Sequence, residues 1–361
     1  MAERPCGGGE GESEVEVWLE EEGETGVLAA PVALVADRSG PVCSTCVDTE
    51  DLLWDRRYMY RAAPTQPWAA FRTGSGKEGP VCLGFLGDVG PTSLGSLESW
   101  GVLLDRETGS QAGRIEGLLV AGDVSYHRDS GDAVARGSTP TMDAYADLIS
   151  AVSPYLPTIA VLGNHDRAHP RQVFDEWSMR FAPHYVMGGE GTAAAACDAV
   201  FERGPFCVAT LCVDGDAQPL DETRQRWLRR AFRACDAPHR ILMLHRPVIN
   251  DGINYGENPE LRDTLLPLLR SAGVVLVVTG HEHVLQVDRV DDIVFVTAAA
   301  ERAHVARPRH VGPWRSERAP ASTIFRSVDE FGYGRICATT DEVTELSLLT
   351  DRQVIDILEK K

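Results

Sequence analysis

Asp88 closes "FLGD", Asp123 closes "VAGD", Asn164 and His165 stand in "LGNHD", His245 ends "LMLH", and His281 and His283 flank a glutamate in "TGHEH". Carboxylate, amide and imidazole groups are ligands for a hard or borderline metal, and the absence of cysteine among them speaks against a structural zinc-thiolate site. The set is larger than one ion needs. Two ions about 3.5 to 4 Å apart, sharing a bridging carboxylate, would use it fully, and such pairs hydrolyse phosphate esters. Each residue alone has a plainer reading, since a strand-end aspartate is often a turn or cap and a histidine after an apolar run is often a hydrogen-bonded core residue. Their recurrence at one strand end after another favours a shared site.

Groups this far apart in sequence meet only if the fold returns them to one edge. Each follows a short apolar run of strand type, in "VCLGFLGD", "GLLVAGD", "TIAVLGNHD", "RILMLH" and "VVLVVTGHEH", with "FCVATLCVD" and "IVFVTA" of the same texture. Amphipathic stretches lie between them. "TPTMDAYADLISAVSPYL" opens with Thr139 as N-cap and Pro140 at the first helical position, and "DETRQRWLRRAFRACD" starts at an Asp221 cap. This alternation indicates an α/β fold of βαβ units, in which ligands sit at the carboxyl ends of the strands. Intervals of 35, 41, 81 and 36 residues between Asp88, Asp123, Asn164, His245 and His281 suit such returns, with one longer excursion. "FGYGRICATTDEVTELSLLTD" reads as a terminal β-hairpin.

Composition narrows the partners. A formal charge of -19 over 361 residues argues against nucleic acid or an anionic membrane surface, which are held by clustered Lys and Arg. No run of about 18 apolar residues suggests a membrane span, and the N-terminus has no signal-peptide core, so a cytoplasmic location is expected as the sequence stands, or a secreted one if the native N-terminus is longer. The nine cysteines, an odd number spread along a long chain, read as mostly reduced, with Cys43 and Cys46 an incidental CxxC. Residues 1–25, rich in Gly and Glu, read as a disordered acidic tail. Residues 26–74 read as a small β segment, "GSGKEGP" as a linker, and 81–361 as the catalytic domain.

The segments "GDVG", "GDVSY", "GNHD", "LMLH" and "GHEH" resemble, in order, the five motifs of the calcineurin-like metallophosphoesterases, in the version carried by purple acid phosphatases. Gly90 stands where the wider superfamily has a histidine, and Tyr126 supplies the tyrosine that marks the phosphatase branch. The resemblance implies a metallophosphoesterase β-sandwich flanked by helices. "RRYMYRAAPTQPWAAFRTG" resembles the end of a fibronectin-like N-terminal domain, here shortened. It also implies a metal pair: iron(III) held by Asp88, Asp123, Tyr126 and His283, and a divalent zinc, manganese or iron held by Asp123, Asn164, His245 and His281. The implied reaction is phosphate-monoester hydrolysis of the acid phosphatase type by a metal-bound hydroxide, acting on a small substrate.

Beside the metal ligands, His165 is the candidate acid toward the phosphate or leaving oxygen, and Arg246 a candidate bidentate clamp. Asn254 and Tyr255 fall where plant relatives carry one or two substrate-side histidines, and neither can be a cationic acid at mildly acidic pH. The basic stretch 301–318, with Arg307 and Arg309, is either a solvated loop or a source of local attraction for an anion. Two other functions stay open: a phosphodiesterase or nucleotide hydrolase, and a metal-binding scaffold without turnover. Oligomeric state is not legible.

Overall fold

The computed structural model describes residues 79–89, 115–124, 158–167, 198–213, 220–250, 258–298, 322–327 and 332–359, with Ser99, Val102, Leu103 and Glu330, and the backbone of six strands before them. Those six are β1 (Arg4–Pro5), β2 (Glu14–Glu21), β3 (Val32–Val35), β4 (Val42–Cys43), β5 (Arg57–Arg61) and β6 (Ala69–Arg72). They form a pair β1-β4 and an antiparallel sheet ordered β3-β2-β5-β6. Strand β2 begins inside the stretch read as a disordered tail. The alternation in "EVEVWLEE" explains it, because period-two patterning outweighs acidic composition once a partner strand is present.

From Val81 onward two mixed sheets face each other. One holds β7 (Val81–Leu86), β8 (Gly117–Val120) and β9 (Thr158–Ala160) in parallel, bordered by β17 (Gly332–Ala338), β18 (Val343–Thr350) and β19 (Val354–Asp356), in the order β19-β18-β17-β7-β8-β9. The other runs β10 (Ala199–Arg203), β11 (Phe206–Leu211), β12 (His239–Leu244), β13 (Val274–Thr279), β15 (Ile293–Ala298), β14 (Leu285–Val290) and β16 (Ser322–Ser327), with β11, β12, β13 and β15 mutually parallel. The seven apolar runs read as strands are all strands. The stretch "TPTMDAYADLISAVSPYL" lies outside the described residues.

Continuous apolar runs arise because the central strands are covered on both faces. Along β12, Ile241 and Met243 point into the core between the sheets, while Leu242 and Leu244 point into a second core under the helices. Strand β13 repeats this, with Leu276 and Val278 on one side and Val274 and Val277 on the other. The second core is roofed by α1 (Glu222–Ala234) and α2 (Pro259–Ala272). Helix α1 starts at the expected Asp221, whose side chain accepts the N–H of Arg224. Helix α2 has an Asn258 cap, Pro259 in its first turn and Gly273 at φ 66 behind it.

The cysteine reading is corrected. Cys82 pairs with Cys337 and Cys207 with Cys235, and Cys212 is disulfide-bonded as well. Strand register brings the first pair together, since Cys82 lies directly opposite Cys337 across β7 and β17. A separation of 255 residues hides that from any spacing argument. The bond from Cys207 to Cys235, at the end of α1, ties helix to sheet across 28 residues. Loop closure of that size is worth about 2–4 kcal/mol, so Cys207→Ala should lower the unfolding free energy by that amount in urea titrations without reductant. An unchanged midpoint would show that the bond does not form in solution.

Candidate metal centre

The strand-end residues converge at the seam between the two sheets. Just past β7, the Gly87 N–H donates to the Ala298 carbonyl at the end of β15 (2.7 Å), which joins one sheet to the other. The Asp88 N–H donates to Gly122 (2.9 Å), and Gly280 N–H to the His245 carbonyl (2.9 Å). Among the described residues, the non-glycine positions with left-handed backbone are Asp88 (φ 54), Asp123 (φ 53), His281 (φ 73), His283 (φ 47) and Asp291 (φ 54). Asp291 sits in the turn between β14 and β15, where that conformation is ordinary. The other four are candidate ligands, each held in a conformation that costs about 1–3 kcal/mol and persists only where surroundings enforce it. Gly122 itself has φ 83, and a Cβ there would stand 2.7 Å from the His245 ring.

The side chains form one polar cluster. His245 Nδ1 lies 2.7 Å from the Ala121 carbonyl, which can only accept, so Nδ1 carries the proton and Nε2 faces the site. Nε2 is 3.0 Å from Asn164 Oδ1 and 3.3 Å from Asp123 Oδ2. Asp123 Oδ1 accepts the His165 N–H (2.9 Å), while its Oδ2 is buried without a hydrogen bond. Asp88 accepts the His281 N–H on both oxygens (3.0 and 2.8 Å), and its Oδ1 lies 3.4 Å from His283 Nε2. Arg246 Nη1 donates to His281 Nε2 (2.9 Å). Ligand atoms of Asp88, Asp123 and His245 all lie within 4.8 Å of one another.

These residues fit a metal centre on two counts. Asp123 Oδ2 stands 3.3 Å from His245 Nε2 with no well-aligned hydrogen bond, and the ring's other nitrogen is already anchored to backbone, so a carboxylate oxygen and an imidazole nitrogen are presented to one point. The donors are the hard and borderline types that such an ion takes. The structure thus gathers Asp88, Asp123, Asn164, His245, His281 and His283, with Arg246 touching the group and His165 bonded to it through its backbone. Tyr126, Asn254, Tyr255 and the stretch 301–318 lie outside the described residues. One residue was missed from sequence: Asp166, buried, whose carboxylate accepts the N–H groups of both Asp123 and Gly163. Its signal was local, an acid three residues after a turn glycine at the head of a helical turn, Asn164–Arg167.

Protonation in the metal-free chain follows from burial and pairing. Burial pushes the Asp123 carboxyl up, but the adjacent His245 charge, then the charge and N–H of His165, outweigh it and bring the group down to about 2. Burial pulls His245 down, yet Asp123, with Asp88 and the Ala121 carbonyl, raises it to about 9. His281 is held well below its ordinary value by burial first, then by the charges of His245 and Arg246. It is therefore a neutral acceptor, as its bond from Arg246 requires.

Comparisons with known proteins agree with this geometry. The family model of the calcineurin-like phosphoesterases matches residues 83–285, more than half of the chain. The purple acid phosphatase PPD1 from seeds of yellow lupin (Lupinus luteus) is similar in structure, with a TM-score of 0.69 and 15% identity over 96% of this chain and 69% of that one. PhoD is also similar, with a TM-score of 0.63 and 12% identity over 97% of this chain and 86% of its own. At such identities the likeness is one of fold. No curated protein sequence matches the chain.

The Asp123–His245 pair sets a pH dependence. A His245 value raised from 6.5 to about 9 gives stability that is complete below pH 6.5 and lost as pH rises through about 9. An Asp123 value lowered from 3.8 to about 2 gives stability present above pH 3.8 and lost as pH falls through about 2. The metal-free protein should therefore show a falling thermal midpoint between pH 6.5 and 9, and His245→Gln should flatten that slope. A metal must displace the proton on His245, so uptake at pH 7 should release acid, measurable in a pH-stat.

Proposed function

From the premise that the chain belongs to the calcineurin-like phosphoesterase family, and so to the metal-dependent phosphoester hydrolases, we propose that it hydrolyses phosphate monoesters in the manner of a purple acid phosphatase. The observation that carries the finer reading is the concurrence of Gly90 and Tyr126 in the motifs whose other donors meet at the seam. Iron(III) would be held by Asp88, Asp123, Tyr126 and His283, and zinc, manganese or iron(II) by Asp123, Asn164, His245 and His281. When bound, such a pair supplies Lewis acidity toward phosphoryl oxygen and a water acidic enough to attack at working pH.

The remaining roles belong to the chain's own groups. Asp123, with Oδ1 fixed by the His165 N–H and Oδ2 beside His245 Nε2, would be shared by the two ions. His165 would hydrogen-bond the phosphate or give a proton to the leaving oxygen, the task for which Asn254 and Tyr255 are unsuited. Arg246 would meet a phosphoryl oxygen, supplying in so acidic a chain the local positive charge that an anionic substrate needs. In the metal-free chain its guanidinium rests on the lone pair of His281 Nε2.

A second reading, a phosphodiesterase or nucleotide hydrolase, is favoured by Asn254 and Tyr255 at the sequence positions where plant relatives carry substrate-side histidines. The disulfides support an oxidising compartment, and hence export, over the cytoplasm. Initial rates of the metal-loaded protein on an aryl phosphate monoester and the matching diester, across pH, separate the readings. A monoester preference abolished by Asp123→Asn is expected; a diester preference would establish the second reading, and metal uptake without turnover a scaffold. Arg246→Ala should raise KM for the monoester at least about tenfold, the order of a charged hydrogen bond of 1.5–3 kcal/mol. An unchanged KM would remove Arg246 from the substrate site.

A further inference from the structure

We propose that Asp166 is the positioning residue of the metal centre, a clamp that sets the distance between the turn carrying Asp123 and the turn carrying Asn164. A single carboxylate oxygen, Oδ2, accepts the Asp123 N–H (2.9 Å) and the Gly163 N–H (2.7 Å). The side chain is 1% exposed, so these bonds are made without competition from water. The inference rests on the metal-centre reading above, because it concerns how two of its ligands are held.

The plainer account is a capping interaction. Asp166 lies three residues after Gly163, and a carboxylate at the third helical position commonly reaches back to the N–H of the capping residue. That account covers the bond to Gly163 and leaves the other unexplained. Asp123 is 43 residues away, on the neighbouring strand end of the same sheet, and a cap has no use for its N–H.

What the second bond does is visible in how Asp123 is gripped. Its N–H is held by Asp166, and its Oδ1 by the His165 N–H (2.9 Å), while its backbone is kept left-handed at φ 53. Only Oδ2 is left to a ligand. One helical turn, Asn164–Arg167, thus carries a candidate ligand in Asn164 and both restraints on a second ligand in Asp123. The turns are already in contact, since a Cβ at Gly163 would collide with the Asp123 carboxylate. At such an approach, a change of a few tenths of an ångström alters how two ligands share an ion. Asp166 acts through these residues and needs no contact with substrate.

Asp166→Glu separates clamp from cap. Glutamate serves a capping role at least as well as aspartate, but its extra methylene displaces the oxygen shared with the Asp123 N–H. The metal-free variants Asp166→Glu and Asp166→Asn are titrated with Zn²⁺ against a chromophoric chelator, alongside thermal midpoints. The expected result is affinity weakened about 10- to 100-fold, the usual cost of losing an outer partner of a ligand, in variants whose metal-free thermal transition stays cooperative. Wild-type affinity in Asp166→Glu overturns the inference and leaves a cap. Should neither variant fold, amide exchange in the metal-free wild type decides. Slow exchange at Asp123 supports the clamp, and exchange as fast as in exposed loops overturns it. A wild-type chain that takes up no Zn²⁺ overturns the metal centre, and the clamp with it.

Discussion

Two carboxyl groups, Asp88 and Asp123, are buried where the two sheets meet, and the surrounding architecture answers the cost of putting them there. Burying such a group is unfavourable unless its oxygens are hydrogen-bonded or paired. Asp88 is answered by the His281 N–H on both oxygens, and Asp123 by the His165 N–H on one. Those donors come from turns following different strands. Each carboxyl group therefore cross-links strand ends, and polar compensation and site assembly are the same set of contacts. Asp123 Oδ2 is answered by the charge of His245, whose Nε2 lies 3.3 Å away.

The backbone strain is consistent with that constraint. Asp88, Asp123, His281 and His283 hold left-handed conformations that only tight packing sustains. The packing is available because β7, β8, β12, β13 and β15 are buried almost throughout, and in β12, β13 and β15 the side chains divide between the inter-sheet core and the helix-covered core. A core of this density moves little, which restrains the turns at its edge. The site is largely pre-organised, with Asp166 and the Ala121 carbonyl fixing the groups that hold the ligands.

The sequence disclosed the parts of this arrangement that are local. Strand β12, for example, announces both its burial and its donor in "RILMLH", because a doubly covered strand must be apolar throughout and the ligand must follow it. The Asp221 cap of α1 was legible for a similar reason. Helix α2 carried equally clear signals in Asn258, Pro259 and Gly273 but was not among the stretches read as helical, strands β10 and β16 have weaker alternation and exposed positions, and β14 buries the polar Gln286 and Asp288. The pairing of Cys82 with Cys337 was illegible because it depends on the register of β17 against β7. The role of Asp166 was hidden in the same way, since its second bond depends on which strand lies beside β9.

One lone pair connects the centre to its substrate edge. His281 Nε2 accepts from Arg246, and a metal ligand cannot offer the same lone pair to a guanidinium and an ion together. Arg246 therefore points at a candidate ligand, where burial and the neighbouring positive charges favour neutral imidazole. Under the proposed reading, ligation by His281 and this contact exclude each other, and the arginine that follows the candidate ligand His245 places a positive charge beside a cluster of carboxylates in a chain of formal charge -19.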